Sequence, residues 1–363
     1  MGVGIFGIPY VLVKAGALAG ILYFIILGAI VLLVNLFYGE IILRTKEEHR
    51  LVGYAEIYLG KWGKRLTTFS NIAGFYGAIL AYTLIGGQFL FLLLGPIFGG
   101  TSVVYSLIFF GAIALAIFVG LALIKEAELI MNIFLVLTFI IICIASILKL
   151  NLASYTAFNW SDVFLPYGVI LFALGSLSAV PEVREVLRNN PQKFKQAIKW
   201  GTIIPIIITI IFSFLIVGAV GGNITPDAIA SLKSILGLKL YALGIFFGLL
   251  AVITSFLVIG LNLKRLYVFD YRLKNYQAWI LSMLVPLIIY IFGTKDFIKV
   301  IGITGGILGG LDGLLVSLIY LRAKKLGQRQ PEYNLRLSRF WPGLVIAIFG
   351  LGIIYEIYFS ILK

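Results

Sequence analysis

The chain has 363 residues, 61% hydrophobic and 12% charged, with 29 Lys and Arg against 15 Asp and Glu and a mean hydropathy of +1.08. Soluble domains average about 45–50% apolar and about 25% charged residues, so this composition excludes a soluble globular protein and marks an integral membrane protein. One histidine, one cysteine and no cluster of acids leave nothing from which to build an enzyme active site, and the lone Cys143 excludes an intrachain disulfide.

Residues 1–13 are uncharged and hold Gly2, Gly4, Gly7 and Pro9. Glycine costs about 1 kcal/mol and proline about 3 kcal/mol relative to alanine inside a helix, so a broken helix is expected between Gly4 and Pro9. In hydrocarbon a break leaves peptide N–H and C=O groups unpaired, which is tolerated only where it lines a cavity. A half-helix of roughly 10 residues should precede the break, so Met1 reads as an internal methionine of a truncated first span. The second span follows an external turn at 14–18 and ends by Leu43. The cytoplasmic loop 44–65 mixes Glu47, Glu48 and Glu56 with basic residues. It is expected to hold a short interfacial helix at 54–59 and a solvated His49. Residues 66–124 lack Asp, Glu, Lys and Arg. A span needs roughly 20 residues, so this run reads as spans three and four, divided near Gly95, Pro96 and Gly99. The fifth span ends near Lys149.

After the polar segment 151–162 the sixth span repeats the opening theme, with Gly175, Ser176, Ser178 and Pro181 interrupting an apolar run. Spans seven to ten cover 200–220, 240–263, 279–292 and 297–321. A basic linker, 322–339, leads to an eleventh span expected at the periphery. Similar breaks in spans one and six divide the first ten spans into two sets of five. An odd set inverts the second half relative to the first, which is a plan of secondary transporters. The expected fold is an all-α membrane protein of eleven transmembrane helices. Its five-plus-five inverted repeat occupies residues 1–150 and 151–321, with broken helices 1 and 6, and 322–363 form the linker and last helix. With the native N-terminus in the cytoplasm, about three quarters of the 29 basic residues fall inside. The basic excess therefore orients the chain in the lipid bilayer of the cell membrane and is no sign of nucleic-acid binding.

GVGIFGIPYVLVKAG at residues 2–16, with ALGSLSAVPEV at 173–183, resembles the amino acid/auxin permease type of the amino acid–polyamine–organocation superfamily. The resemblance covers the ten-span core and implies the leucine-transporter fold and import of amino acids driven by an ion gradient. The residues suit that chemistry. An amino acid carries a carboxylate and an ammonium, both costly to desolvate. Free N–H groups at a half-helix start take a carboxylate without a charged side chain. Here they belong to Gly4, Ile5 and Phe6, with Gly2 and Gly4 permitting close approach. Orphan carbonyls at the end of a half-helix take the ammonium. These are expected at Phe172, Ala173 and Gly175, with the Phe172 ring closing over the ligand.

In span eight, the Ala251 carbonyl and the Thr254 and Ser255 hydroxyls share one helix face. They suit a hard cation such as Na⁺; the alternative is hydroxyls bonded back to their own helix. The A-x-x-T-S pattern resembles the sodium-site helix of leucine-transporter-fold symporters. Some relatives replace that ion with a fifth-span lysine, and residues 129–148 contain no basic residue, which favours Na⁺ over H⁺ as coupling ion. Asp312, mid-span among glycines, is a candidate coupling or gate residue, since a charge there costs about 2.5–3.5 kcal/mol. Glu182, Arg184 and Glu185, with Lys264, Arg265 and Asp270, are candidate cytoplasmic gate pairs. No cofactor is expected beyond the coupling ion. The leading expectation is a cation-coupled amino acid importer working by alternating access, with a proton-coupled permease or a non-transporting sensor on the same fold as alternatives. Oligomeric state and the particular amino acid are left open by the sequence.

Overall fold

The computed structural model describes residues 3–120, 125–269 and 271–362, and the described residues form helices and no strands. Helix α1 spans Gly4–Ala15, α2 Ala17–Arg44, α3 Leu51–Phe98, α4 Ser102–Val119 and α5 Lys125–Ile147. Then come α6 Pro166–Leu174, α7 Ala179–Val186, α8 Phe194–Val220, α9 Lys233–Phe269 and α10 Asn275–Phe292. The tenth expected span is α11 Phe297–Ile303, a π-helical turn Thr304–Gly309, and α12 Gly310–Leu326; α13 is Phe340–Ile357. Among the described residues nine helices are long and apolar enough to cross a membrane, and the shorter apolar helices Gly4–Ala15 and Val136–Ile147 stand where spans one and five are expected.

Local sequence explains most of the punctuation. Gly60 adopts φ 76° and ψ −163° inside α3, a left-handed conformation that glycine reaches without steric cost. It sets the short interfacial helix apart from the third span, as expected. Gly16, at φ 96°, ends α1, and a Cβ there would lie 2.6 Å from the Ala157 carbonyl oxygen. That turn is fixed by the Ala17 N–H donating to Thr156 O (2.8 Å) and the Asn159 N–H donating to Ala15 O (2.9 Å).

One expectation is corrected. Helix α1 does not break between Gly4 and Pro9 but runs through Pro9 to Ala15. Proline removes a single backbone bond, the one to the carbonyl four residues earlier. Helix α1 tolerates this because Ile8, Val11 and Leu12 are 0–1% exposed, and their burial outweighs one lost bond.

The chain divides into two units. The first comprises Met1–Ala19, Phe75–Leu165 and Ile211–Ile301. Its core is aromatic: Phe256 of α9 meets Tyr82, Phe109 and Phe110, with ring centroids 5.8–6.4 Å apart. The Trp279 indole N–H donates to the Ala114 carbonyl (2.8 Å), tying α10 to α4. The second unit comprises Gly20–Gly74, Pro166–Ile210 and Gly302–Lys363. Its core is built on glycine contacts. A Cβ at Gly168 of α6 would stand 2.2 Å from the Gly302 carbonyl oxygen. One at Gly305 would stand 2.1 Å from the Gly168 carbonyl oxygen. Backbone therefore lies directly on backbone, as small residues allow between membrane helices.

Helix α13 is exposed along much of its length, Leu351 and Ile354 being 68–69% exposed, but it buries Glu356 at 5%. That side chain lies over Gly302 and Gly306 and accepts a hydrogen bond from the Ser360 hydroxyl (2.7 Å).

Candidate functional site

The sixth span is broken where expected. Helix α6 ends at Leu174, residues 175–178 are non-helical, and α7 starts at Ala179. Gly175, Ser176 and Ser178 supply the break, because glycine and serine hold a helix poorly. Pro181 is the third residue of α7, in the first turn, where a missing N–H costs nothing. It therefore belongs to the restart of the helix and not to its interruption. The last four carbonyls of α6 have no intrahelical donor. The backbone bond that closes this end is long, from the Gly175 N–H to Phe172 O at 3.4 Å. Phe172 and Ala173 are half-buried and Gly175 is exposed. The backbone of Phe172 is held from behind: a Cβ at Gly305 would meet its nitrogen at 2.4 Å and its Cβ at 2.7 Å.

At the start of α1, Gly4 is buried while Ile5 and Phe6 are half-buried. The Phe6 N–H donates to Val3 O (3.1 Å), so of the three expected amides this one already has an acceptor. The Phe6 ring stands edge-on to Phe89, centroids 5.3 Å apart. Gly2 lies outside the described residues.

On α9, Ala251, Thr254 and Ser255 are all half-buried. The Thr254 hydroxyl donates to the Ala251 carbonyl at 2.9 Å, so two expected cation ligands converge but are bonded to one another. Ser255 faces the phenol of Tyr82. Among the described residues no group of three or more His, Cys, Asp or Glu comes together as a metal site.

Asp312 is the third residue of α12, just beyond the π-helical turn. It lies beside Ser70, whose hydroxyl donates to Leu308 O (3.1 Å), and the Asp312 Oδ1 is buried with no hydrogen-bond partner. An unpaired charge in that position is costly. Asp312→Asn should therefore leave the thermal unfolding midpoint in detergent unchanged or raise it. A fall of several degrees would show that the carboxylate is paired.

The expected gate pairs are replaced by others within the second unit. Glu185 pairs with Arg50 (3.2 Å) and Arg188 with Glu48 (3.9 Å), both exposed and so worth about 0–1 kcal/mol. In the first unit Lys264 donates to the Ile117 carbonyl (3.3 Å). Asp270 lies outside the described residues.

A model of the tryptophan/tyrosine permease family matches residues 1–356. The chain belongs to that family. No curated relative matches it in sequence. Among solved structures the permease is similar to MhsT in complex with L-phenylalanine, with a TM-score of 0.71 at 16% identity over 99% of this chain and 95% of that one. It is also similar to a mutant of the manganese transporter of Eremococcus coleocola, with a TM-score of 0.64 at 13% identity over 99% and 84%. Both likenesses show the leucine-transporter fold. The family shown is thus of the permease kind expected, under a different family description.

Two residues of the permease escaped sequence reasoning. Asn35 is 1% exposed. It donates to the Ser176 hydroxyl oxygen (2.8 Å) and to that of Thr202 (3.0 Å). As a lone amide in the charge-free run before Glu40 it was the visible signal, because polar groups inside a span are rarely idle. Glu40, 0% exposed, was concealed by its place at a span end, where acids are ordinarily solvated.

Proposed function

We propose that the permease imports aromatic amino acids of the tryptophan and tyrosine type across the cell membrane by cation symport and alternating access. The observation that carries this is the non-helical segment 175–178 at the end of α6, in a chain matched to this family over residues 1–356. The last α6 carbonyls at Phe172 and Ala173 suit the α-ammonium. The first amides of α1, at Gly4 and Ile5, suit the α-carboxylate. The half-buried Phe172 ring offers a π-face to an aromatic substrate, and aromatic pairs contribute about 0.5–1.5 kcal/mol beyond area burial. The family description supports the substrate class, and L-phenylalanine in the MhsT complex is of the same chemistry.

Na⁺ is our choice of coupling ion, held by the Ala251 carbonyl and the Thr254 and Ser255 hydroxyls. The 2.9 Å approach of two of these oxygens supports it, because a turn of the Thr254 hydroxyl proton would leave both facing one point. Proton coupling is the second reading, favoured by the unpartnered Oδ1 of Asp312.

Purified permease in proteoliposomes, given labelled tryptophan or tyrosine, tests both readings. Accumulation with an inward Na⁺ gradient and none in choline is the expected result. Accumulation only with an inward proton gradient would replace Na⁺ by H⁺. Binding without flux would make the protein a sensor. Thr254→Val, which keeps shape and removes the hydroxyl, should raise the Na⁺ concentration for half-maximal uptake about tenfold, the size of one lost ligand contact of roughly 1.4 kcal/mol. An unchanged Na⁺ dependence would remove Thr254 from the ion site.

A further inference from the structure

We propose that Asn35 is a positioning residue that holds the break in the sixth span open and thereby sets the carbonyls of Phe172 and Ala173. The inference rests on the functional reading for its effect on uptake, and on hydrogen-bond geometry alone for its effect on the break.

Asn35 lies on α2 and is 1% exposed. The Thr202 hydroxyl donates to Ile198 O (2.8 Å), so toward Asn35 its oxygen can only accept. This fixes the orientation of the amide, since the group 3.0 Å away must be the NH₂. The other amide hydrogen goes to Ser176 Oγ at 2.8 Å, in the middle of the non-helical segment. One side chain thus ties the break to α8, a regular helix that starts at Phe194.

The remaining atom, Oδ1, is buried and has no partner. A buried amide left half unsatisfied costs free energy, and a purely structural polar contact would be expected to satisfy both halves. What the site retains is the pair of N–H donors, and both end on hydroxyls that fix Ser176.

The break itself has little else to hold it. Among the described residues the backbone bonds around it are Gly175 N–H to Phe172 O (3.4 Å), Ala179 N–H to Ser176 O (3.1 Å) and Val180 N–H to Leu177 O (3.2 Å). None spans the gap from α6 to α7. The N-cap residue Ser178 makes no side-chain bond to the start of α7. Without Asn35, Ser176 loses the side-chain link that anchors it, and the helix is free to rewind toward the Ala173 carbonyl. Rewinding would consume a carbonyl offered to the substrate ammonium. Loss of Asn35 should therefore weaken substrate binding more than it slows turnover.

The test compares Asn35→Leu, Ser176→Ala and the double variant in proteoliposomes and in purified protein. Asn35→Leu should raise the KM for labelled tryptophan or tyrosine about tenfold, the scale of one to two lost hydrogen bonds, with Vmax changed less than threefold. Ser176→Ala, which leaves Asn35 and Thr202 bonded, should raise KM by a smaller factor. The double variant should be no worse than Asn35→Leu, because both changes remove the same link. Hydrogen exchange at the Ala179 and Val180 amides, read on purified protein, should change in Asn35→Leu and in Ser176→Ala, with the remaining helices unaffected. Unchanged KM and exchange in both single variants would overturn the proposal, as would KM factors that multiply in the double variant. If Asn35→Leu does not fold, Ser176→Ala alone decides. If the wild-type protein carries no aromatic amino acid, the functional reading fails while exchange at Ala179 and Val180 still judges the clamp.

Discussion

Gly305→Ala should yield a permease with a lower melting temperature and little or no uptake, while Gly309→Ala, four residues on, should behave as wild type. The contrast follows from what each added methyl meets. At Gly305 it would stand 2.1 Å from the Gly168 oxygen and 2.4 Å from the Phe172 nitrogen, whereas at Gly309 the nearest neighbour is Thr304 O at 3.8 Å. The first neighbours are backbone atoms and cannot rotate aside. Helix α6 must therefore move bodily away from the π-helical turn. Overpacking of this kind costs typically about 1–3 kcal/mol in a well-packed core. The displacement falls on Phe172, whose carbonyl we assign to the substrate, so uptake should fall further than stability. Thermal unfolding in detergent and uptake of labelled tryptophan measure the two effects. A Gly305→Ala protein with wild-type values of both would mean that α6 is not held as described.

The second large effect is expected at Glu40. Its carboxylate accepts from the Arg44 guanidinium (2.8 Å) and from the Leu335 N–H (2.7 Å), with no exposure of its own. Around it, segment 327–339 is laid along the end of α2. The Tyr333 hydroxyl donates to Leu36 O (2.7 Å), Gln328 N–H to Arg44 O (2.8 Å), and Arg329 Nε to Leu43 O. Burial, with Glu40 beside it, pushes the Tyr333 phenol well above its ordinary range. Removing one member of a buried ion pair costs about 3–5 kcal/mol, because the partner charge is left uncompensated. Glu40→Ala should thus lower the melting temperature markedly and open 327–339 to protease. Glu40→Gln, which can still accept from Leu335, should lose less. Equal stability of Glu40→Ala and wild type would show that the segment is held by its other bonds.

The all-helical fold, the span positions and the break at Gly175 were legible in the sequence because each rests on local chemistry. Charge-free runs of spanning length have one stable form in lipid, and glycine with serine ends a helix wherever it occurs. The path of α1 through Pro9 was not legible, since it depends on how deeply Ile8, Val11 and Leu12 are buried. Nor was the role of the linker. Its residues read as solvated basic chain, and only the arrival of Glu40 from almost 300 positions away, at Leu335 (295 apart), makes it part of the core. Candidate site residues divide the same way. Thr254 and Ser255 announce a polar helix face, but whether a hydroxyl is free or bonded to its own backbone is a matter of rotamer, which no pattern of residue types contains. Asn35 was visible as an oddity. Its meaning required Ser176 and Thr202 to be brought to it by folding.

The π-helical turn at Thr304–Gly309 makes the tenth span intolerant of a kind of change that membrane helices ordinarily absorb. A π turn accommodates one residue more than the α-helix around it. Deleting a single residue there would let the helix close into regular α form and rotate everything after it by about 100°. Gly313 would swing away from Phe349, whose ring now fills the space its missing side chain leaves, and Asp312 would leave Ser70. Codon deletions in this stretch should then be as damaging as those in a catalytic loop, even though no charged or reactive group is lost. What this span requires is a count of residues as much as their kind.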